Sequence, residues 1–135
     1  MSDLSVASAD MQIEINRGAL DQFWRALIEA RAEEALQVYA DHAVLCFPQT
    51  EEMFVGRTNI GARGLLNPGE KLVKVNRIVG EGGLWVSECE TARHSQTAML
   101  VSVLEMDDGR IIREARYRCP KRASSSAAVG SPSGF

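Results

Sequence analysis

The residues best suited to chemistry lie in one charged stretch near the end of the chain, residues 110–119. Its composition favours a β-strand, in which successive side chains point to opposite faces. One face would carry Ile111, Arg113, Ala115, Tyr117 and Cys119, and the other would carry Ile112, Glu114, Arg116 and Arg118. Whichever face is buried takes charge with it, and a buried charge must be paired or used. This strand is therefore the best indication of a site.

Glu114 and Arg116 are two residues apart and would share a face of that strand. In a functional interpretation, Arg116 holds a carboxylate, phenolate or enolate oxygen, while Glu114 orients Arg116 or accepts a proton. In a structural interpretation, the two side chains form a buried ion pair without a chemical role. The sequence leaves both interpretations open.

Composition narrows the class of protein. The 135 residues suit a single domain with one core, and the net charge of −3 gives no electrostatic reason to expect nucleic acid or an anionic membrane. The three cysteines, Cys46, Cys89 and Cys119, have neither paired spacing nor a metal-binding pattern, so we expect free thiols, no metal and no cofactor in a cytoplasmic protein. No signal peptide or membrane-spanning run is recognised.

The first half of the chain predicts helices. An apolar stripe with helical spacing predicts a first helix over about residues 17–30, with Asn16 as its N-cap. A shorter second helix would follow and end at Asp41-His42, with a strand over 43–47 and a loop over 49–55. A third helix is expected over about 56–66, where Gly61 and Gly64 indicate either a weak helix or a close approach to its backbone. The stripe of the first helix is Leu20, Phe23, Trp24, Leu27 and Ile28, and one side of the second carries Ala35, Leu36, Tyr39 and Ala40.

The second half predicts a sheet of longer strands, over residues 71–79, 84–91, 96–106 and 110–119. Asp108-Gly109 is a strong tight-turn signal between the last two strands. Helices followed by strands indicate an α+β fold, in which a bent antiparallel or mixed sheet wraps over the first helix and encloses a cavity. We divide the chain into an N-terminal extension (1–15), one domain (16–120) and a flexible Ser/Ala/Gly tail (121–135).

Several short motifs occur together in this order: Tyr39-Ala40-Asp41-His42-Ala43-Val44, Phe47-Pro48-Gln49, Gly56-Arg57 before a helix, and Asp108-Gly109-Arg110-Ile111 leading to Arg116-Tyr117. Their order and spacing resemble the nuclear transport factor 2-like superfamily, and in particular its SnoaL-like (polyketide cyclase-like) and ketosteroid isomerase-like domains. The resemblance covers about residues 18–120. It implies a cone-shaped α+β barrel, a pocket between helix and concave sheet, and a homodimer through the outer face of the sheet. It does not imply one function, because unrelated activities share this fold.

The catalytic residues of two such groups are absent here. The places of the general base, the oxyanion-stabilising tyrosine and the protonated aspartate of ketosteroid isomerases hold Phe47, Phe23 and Leu100. The arginine and two aspartates of limonene epoxide hydrolase-like members fall on Cys89, Thr91 and Arg116. Neither reaction is therefore expected by those mechanisms.

The resemblance also implies which strand residues face the cavity. The inward residues would be Ser87, Cys89 and Thr91 on one strand, Ala98, Leu100, Ser102 and Leu104 on the next, and Ile112, Glu114, Arg116 and Arg118 on the last. Glu114 and Arg116 are the candidate catalytic residues. The candidate ligand-binding residues are Phe23, Leu27, Phe47, Trp85, Cys89, Thr91, Leu100, Ser102 and Arg118. An inert buried thiol is the alternative for Cys89, and a solvated rim residue is the alternative for Arg118.

Three functions remain for such a pocket. The protein could bind an apolar ligand bearing a carbonyl or carboxylate, it could be a small enzyme using Arg116 and Glu114, or it could be a dimeric scaffold with a vestigial pocket. Absent catalytic sets count against the enzyme. A charged inward strand counts against the scaffold, because an idle interior tends to become apolar.

Overall fold

The computed structural model describes residues 2–121, which form three helices and a six-stranded sheet. The elements are α1 (Ser2–Ile28), α2 (Ala32–Leu36), β1 (Tyr39–Phe47), β2 (Glu52–Val55), α3 (Arg57–Arg63), β3 (Lys71–Glu81), β4 (Leu84–Arg93), β5 (Gln96–Asp107) and β6 (Arg110–Pro120). The strand order is β2-β1-β6-β5-β4-β3, with β1 and β6 parallel and every other pair antiparallel. The predicted α+β class with a mixed sheet is confirmed.

The core lies between α1 and the sheet. The predicted stripe of α1 packs inward through Leu20, Phe23, Trp24 and Leu27, whereas Ile28 at the helix end is 42% exposed. Each fully buried side chain of this kind contributes about 1.5–3 kcal/mol to folding. The stripe therefore fixes α1 across the sheet, above the inward residues of the central strands.

The first helix begins much earlier than predicted, at Ser2 instead of near Arg17. Asn16 is consequently not an N-cap but a buried residue inside α1. Its Nδ2 donates to the Gly82 carbonyl at 3.1 Å, and its Oδ1 accepts from the Gly109 N–H at 2.8 Å. Asn16 thus joins the helix to two hairpin turns of the sheet, which is a contact that a local cap signal does not reveal.

The segment after α1 also differs from the prediction. Tyr39 and Ala40, expected on the second helix, begin strand β1, because Tyr39 lies opposite Ile111 of the parallel strand β6. Residues 52–55, expected in a loop, form the edge strand β2. Non-local strand pairing outweighs local helical spacing here. The alternative offered for Gly61 holds, since a Cβ there would lie 2.8 Å from Cδ2 of Leu36.

The predicted hairpin between β5 and β6 is confirmed. Asp108 and Gly109 both have positive φ, of 49° and 77°, which is the geometry of a two-residue turn matched to strand twist. A bulge follows, because Met106 pairs with Ile111 while Glu105 pairs with Arg113. The extra residue is Ile112. The bulge turns Ile112 outward, so its predicted inward facing is wrong, and Ile111 is buried in its place.

The predicted flexible tail lies outside the described residues, apart from Lys121. The division at residue 15 falls within the continuous helix α1, and the domain limits stay predictions. None of the described helices is long and apolar enough to cross a membrane.

Candidate functional site

The centre of the candidate site is the ion pair between Glu114 and Arg116 on β6. Alternation along the strand places both side chains on its inner face, where each is at most 1% exposed. The Arg116 Nε donates to the Glu114 Oε2 at 2.9 Å. The sequence prediction that these charges are buried and adjacent is therefore correct.

Glu114 is held by two further donors. The Tyr39 hydroxyl donates to Oε1 at 2.5 Å, and the Ser102 hydroxyl donates to Oε2 at 2.6 Å. Burial and the neighbouring carboxylate of Glu114 raise the pKa of Tyr39 well above its ordinary value, so this hydroxyl remains a donor. With three donors around it, the carboxylate is well suited to orient Arg116 and poorly suited to accept a proton from a ligand.

Arg116 is less completely satisfied than its partner. Its Nη1 donates to the Leu65 carbonyl, but its buried Nη2 has no hydrogen-bond partner among the described residues. Burial alone lowers the pKa of Arg116, yet the Glu114 carboxylate raises it above the ordinary value, so the guanidinium stays charged. The site therefore presents a cation with two unused N–H donors at its free end.

Residues 63–70 comprise the end of α3 and the loop after it, and we call them the covering segment. This segment contacts Arg116 through the Leu65 carbonyl, which accepts the hydrogen bond from Nη1. Arg63 donates from Nη1 to the Gly64 carbonyl and from Nη2 to Oδ1 of Asn67, both at 2.8 Å. The Asn67 N–H donates to Glu70 at 3.0 Å. Side-chain hydrogen bonds thus connect Arg63, Gly64, Asn67 and Glu70 within the segment.

Glu70 also attaches the covering segment to β6. Its carboxylate accepts two hydrogen bonds from Arg118, from Nε at 2.9 Å and from Nη2 at 2.7 Å. Burial raises the pKa of Glu70, but the Asn67 N–H and the charge of Arg118 outweigh it, so the pKa lies below its ordinary value. Arg118, predicted near the rim, is half-buried in this pair and occupied by it.

A mostly apolar cavity of about 570 Å³ is lined in part by Leu65. It opens between the end of α1, the start of α2 and the first residues of β3. Leu27, Leu65 and Leu72 form much of its wall, with Ala32 at the start of α2. Its charged lining residues are Glu29, Glu70 and Lys71. A cavity of this size and character suits a small organic ligand.

Comparisons with known proteins agree with the architecture. No protein-family model and no curated protein matches the chain. Among solved structures, an NTF-2 like protein of unknown function from Burkholderia xenovorans LB400 is 28% identical, covers 89% of this chain and 94% of its own, and has a TM-score of 0.75. The chain has the nuclear transport factor 2-like fold. The resemblance predicted from its motifs is confirmed at that level.

Two other solved structures extend the comparison. A putative ketosteroid isomerase from Kribbella flavida is 22% identical, with a TM-score of 0.72 and coverage of 83% of this chain and 82% of its own. A putative polyketide cyclase from Xanthomonas campestris is 17% identical, with a TM-score of 0.62 and coverage of 77% and 90%. At these identities the likeness establishes the nuclear transport factor 2-like fold alone.

Most predicted ligand-binding residues are part of the packed interior of this fold. Phe23 contacts the Trp24 and Tyr39 rings edge-on, at centroid distances of 4.7 and 5.4 Å. Phe47 lies beneath the Arg63 guanidinium, whose Cζ is 4.2 Å from the ring centroid. Phe23, Phe47 and Leu100, which occupy the isomerase catalytic places, are all buried apolar residues. Only Leu27 of the predicted set lines the cavity beside Leu65.

The remaining predicted residues divide between scaffold and site. Trp85 is buried and donates its indole N–H to the Gly82 carbonyl at 2.9 Å. Burial raises the pKa of the Cys89 thiol to about 12, which keeps it protonated and unreactive at neutral pH. Thr91 is buried on β4. Ser102 belongs to the site, because its hydroxyl donates to Glu114. The predicted inward facing of Ser87 is correct, and its hydroxyl accepts from Trp24 at 2.9 Å.

Sequence reasoning missed four residues that shape the site. Tyr39 was assigned to a helix, although its aromatic ring favours a strand. The third helix, expected to reach about residue 66, ends at Arg63, so Leu65 and Glu70 lie in the loop that follows, whose path the local sequence does not indicate. Within the described part of the chain, no group of three or more His, Cys, Asp or Glu side chains is arranged to hold a metal.

Proposed function

We propose that the protein binds a small molecule whose apolar body occupies the cavity and whose oxygen-bearing head group contacts Arg116. The supporting observation is the buried Arg116 Nη2, which lacks a partner among the described residues. The neighbouring Nη1 donates to the carbonyl of Leu65, a residue that also lines the cavity. A buried donor without a partner costs about 1–3 kcal/mol. A ligand oxygen would remove that cost.

The occupied carboxylate favours binding over catalysis. An enzyme that uses Glu114 as acid or base would have to release at least one of its three donors, Tyr39, Ser102 and Arg116. Arg116 could still polarise a ligand oxygen as an electrophile. The charged interior counts against a scaffold with a vestigial pocket, because apolar residues of similar volume would fill that space without desolvation cost.

The cavity is tested by filling it. Ala32 is exposed at the start of α2 and lines the cavity, so Ala32→Phe would obstruct the cavity without disturbing the core. Using 2-naphthamide and 2-naphthoate as probes in isothermal calorimetry, we expect Ala32→Phe to weaken binding by about tenfold or more, equivalent to about 1.4 kcal/mol.

The matched control is Glu33→Phe, since Glu33 is the next residue, is also exposed and does not line the cavity. It should bind both probes like the unmodified protein. Equal binding by the two variants, or binding by neither variant nor the original protein, would contradict the proposed function.

Two proposals concern the whole protein: a cytoplasmic location and a homodimer through the outer face of the sheet. Val103 and Ile112 lie on that face and are 36% and 43% exposed, beside Val86, Val101, Arg113 and Tyr117. Sedimentation at micromolar concentration should give a dimer, and Val103→Lys should give a monomer because a charge in the interface is desolvated. Val73→Lys, on the exposed edge strand β3, should leave the dimer intact. A monomer before any substitution would contradict the proposal.

A further inference from the structure

The surroundings of Arg116 are unusually rich in positive charge. Arg63, Arg116 and Arg118 come from the covering segment and β6, while Glu70 and Glu114 are the buried carboxylates among them. We call these five residues the arginine cluster. The formal net charge of these five residues is +1.

Arg63 is the arginine of the cluster that is not paired with Glu70 or Glu114. It lies over the Phe47 ring and donates to a carbonyl and an amide oxygen, and no carboxylate of a described residue lies within 4.0 Å of it. Burial and the charges of Arg116 and Arg118 lower the pKa of Arg63, even though Glu52 and Glu70 act in the opposite direction. An anion in this region would relieve the repulsion among the three cations.

The free end of Arg116 has the donors that a carboxylate needs. Nη1 already donates to one oxygen, the Leu65 carbonyl, and Nη2 has two N–H groups without a partner among the described residues. Two guanidinium nitrogens side by side match the two oxygens of a carboxylate, and such charge-assisted pairs are stronger than neutral hydrogen bonds. A neutral carbonyl oxygen would accept from only part of the Nη1 and Nη2 donors and would leave the positive net charge of the cluster unchanged.

We propose that the ligand carries a carboxylate, whose oxygens contact Nη1 and Nη2 of Arg116 and take the place of the Leu65 carbonyl. This inference rests on the proposed function, because it assigns a head group to the ligand of the same cavity. Gly64, at φ 90° immediately before Leu65, is the position at which the covering segment can turn Leu65 away. The apolar body then remains against Leu27 and Leu72.

The decisive measurement compares isosteric head groups on the same body. The probes are 2-naphthoate and 3-phenylpropanoate, each paired with its primary amide, which has nearly the same shape but no charge. Calorimetry should give at least about tenfold tighter binding for each carboxylate than for its amide. Equal or tighter binding of the amides would overturn the carboxylate assignment and leave the cavity proposal standing, whereas loss of all binding would count against both.

Charge variants test the arginine cluster separately from the shape of the cavity. Arg63→Gln should weaken carboxylate binding several-fold more than it weakens amide binding. Glu70→Gln should strengthen carboxylate binding, because it removes a competing negative charge and frees Arg118. Arg17→Gln, an exposed residue of α1, is the control and should change neither. Parallel changes for carboxylates and amides would overturn the proposal.

Arg116→Met should reduce carboxylate binding to the level of the amide. Because this variant leaves Glu114 without its cation and could fail to fold, the thermal midpoint is measured first, and the comparison of probes on the original protein decides the matter independently. A folded Arg116→Met protein that still prefers the carboxylate would contradict the assignment.

Discussion

Replacing Arg116 by methionine is expected to lower the free energy of unfolding by about 3–5 kcal/mol, a large share of the stability of a small domain. The reason is the fully buried carboxylate of Glu114, which keeps its hydrogen bonds from Tyr39 and Ser102 but loses its cation. Glu114→Gln should also destabilise, because the buried Arg116 guanidinium would then lose the negative charge that compensates it. Urea denaturation followed by circular dichroism measures both effects.

The double variant distinguishes a coupled pair from two independent side chains. Arg116→Met combined with Glu114→Gln should cost about 0.5–3 kcal/mol less than the two single losses together, since neither charge is then left alone. The matched control is Arg31→Met with Glu29→Gln, an exposed pair in the loop after α1 with an N···O distance of 2.6 Å. That pair should contribute about 1 kcal/mol or less. Additive and mild effects at Glu114 and Arg116 would mean that these side chains are solvated.

The buried pair could be predicted because strand alternation is a strictly local rule. Asp108-Gly109 fixes where the hairpin turns, and residues two apart on the following strand must share a face. Ile112 shows the limit of that rule. The bulge opposite Glu105 and Met106 shifts the alternation by one residue, and nothing in the local sequence identifies it.

Tyr39 was misplaced for a different reason. Ala35, Leu36, Tyr39 and Ala40 have a spacing that fits one side of a helix, but α2 ends at Leu36 and Tyr39 pairs with Ile111 of β6. The strand conformation is determined by a partner far along the chain, which local periodicity does not report. The same limit applies to α1, which begins at Ser2 instead of near residue 17 as expected.

The position of the covering segment could not be predicted. It depends on local bonds among Arg63, Asn67 and Glu70 and on the bond from Arg118 to Glu70, and that last contact requires the folded sheet. The sequence therefore predicted the two charges at the centre of the site. It did not predict how residues 63–70 lie over them or that Leu65 lines a cavity.

Gly80→Ala is expected to lower the free energy of unfolding by about 1–3 kcal/mol, because the added methyl group has no room. A Cβ at Gly80 would lie only 2.1 Å from Cδ2 of Trp85 on the neighbouring strand. The Trp85 ring cannot easily move away, since it is 1% exposed and its N–H donates to the Gly82 carbonyl. Urea denaturation and the near-ultraviolet circular dichroism of tryptophan both report this change.

The same substitution at Gly18 provides the control. Gly18 lies inside α1, and a Cβ there would meet no atom within 4 Å. Gly18→Ala should therefore raise the free energy of unfolding by about 0.5–1 kcal/mol through helix propensity. Opposite signs at the two glycines would establish that the Trp85 ring is fixed against Gly80 as part of the scaffold. A neutral Gly80→Ala would instead mean that Trp85 is free to move, and its predicted role as a ligand contact would regain support.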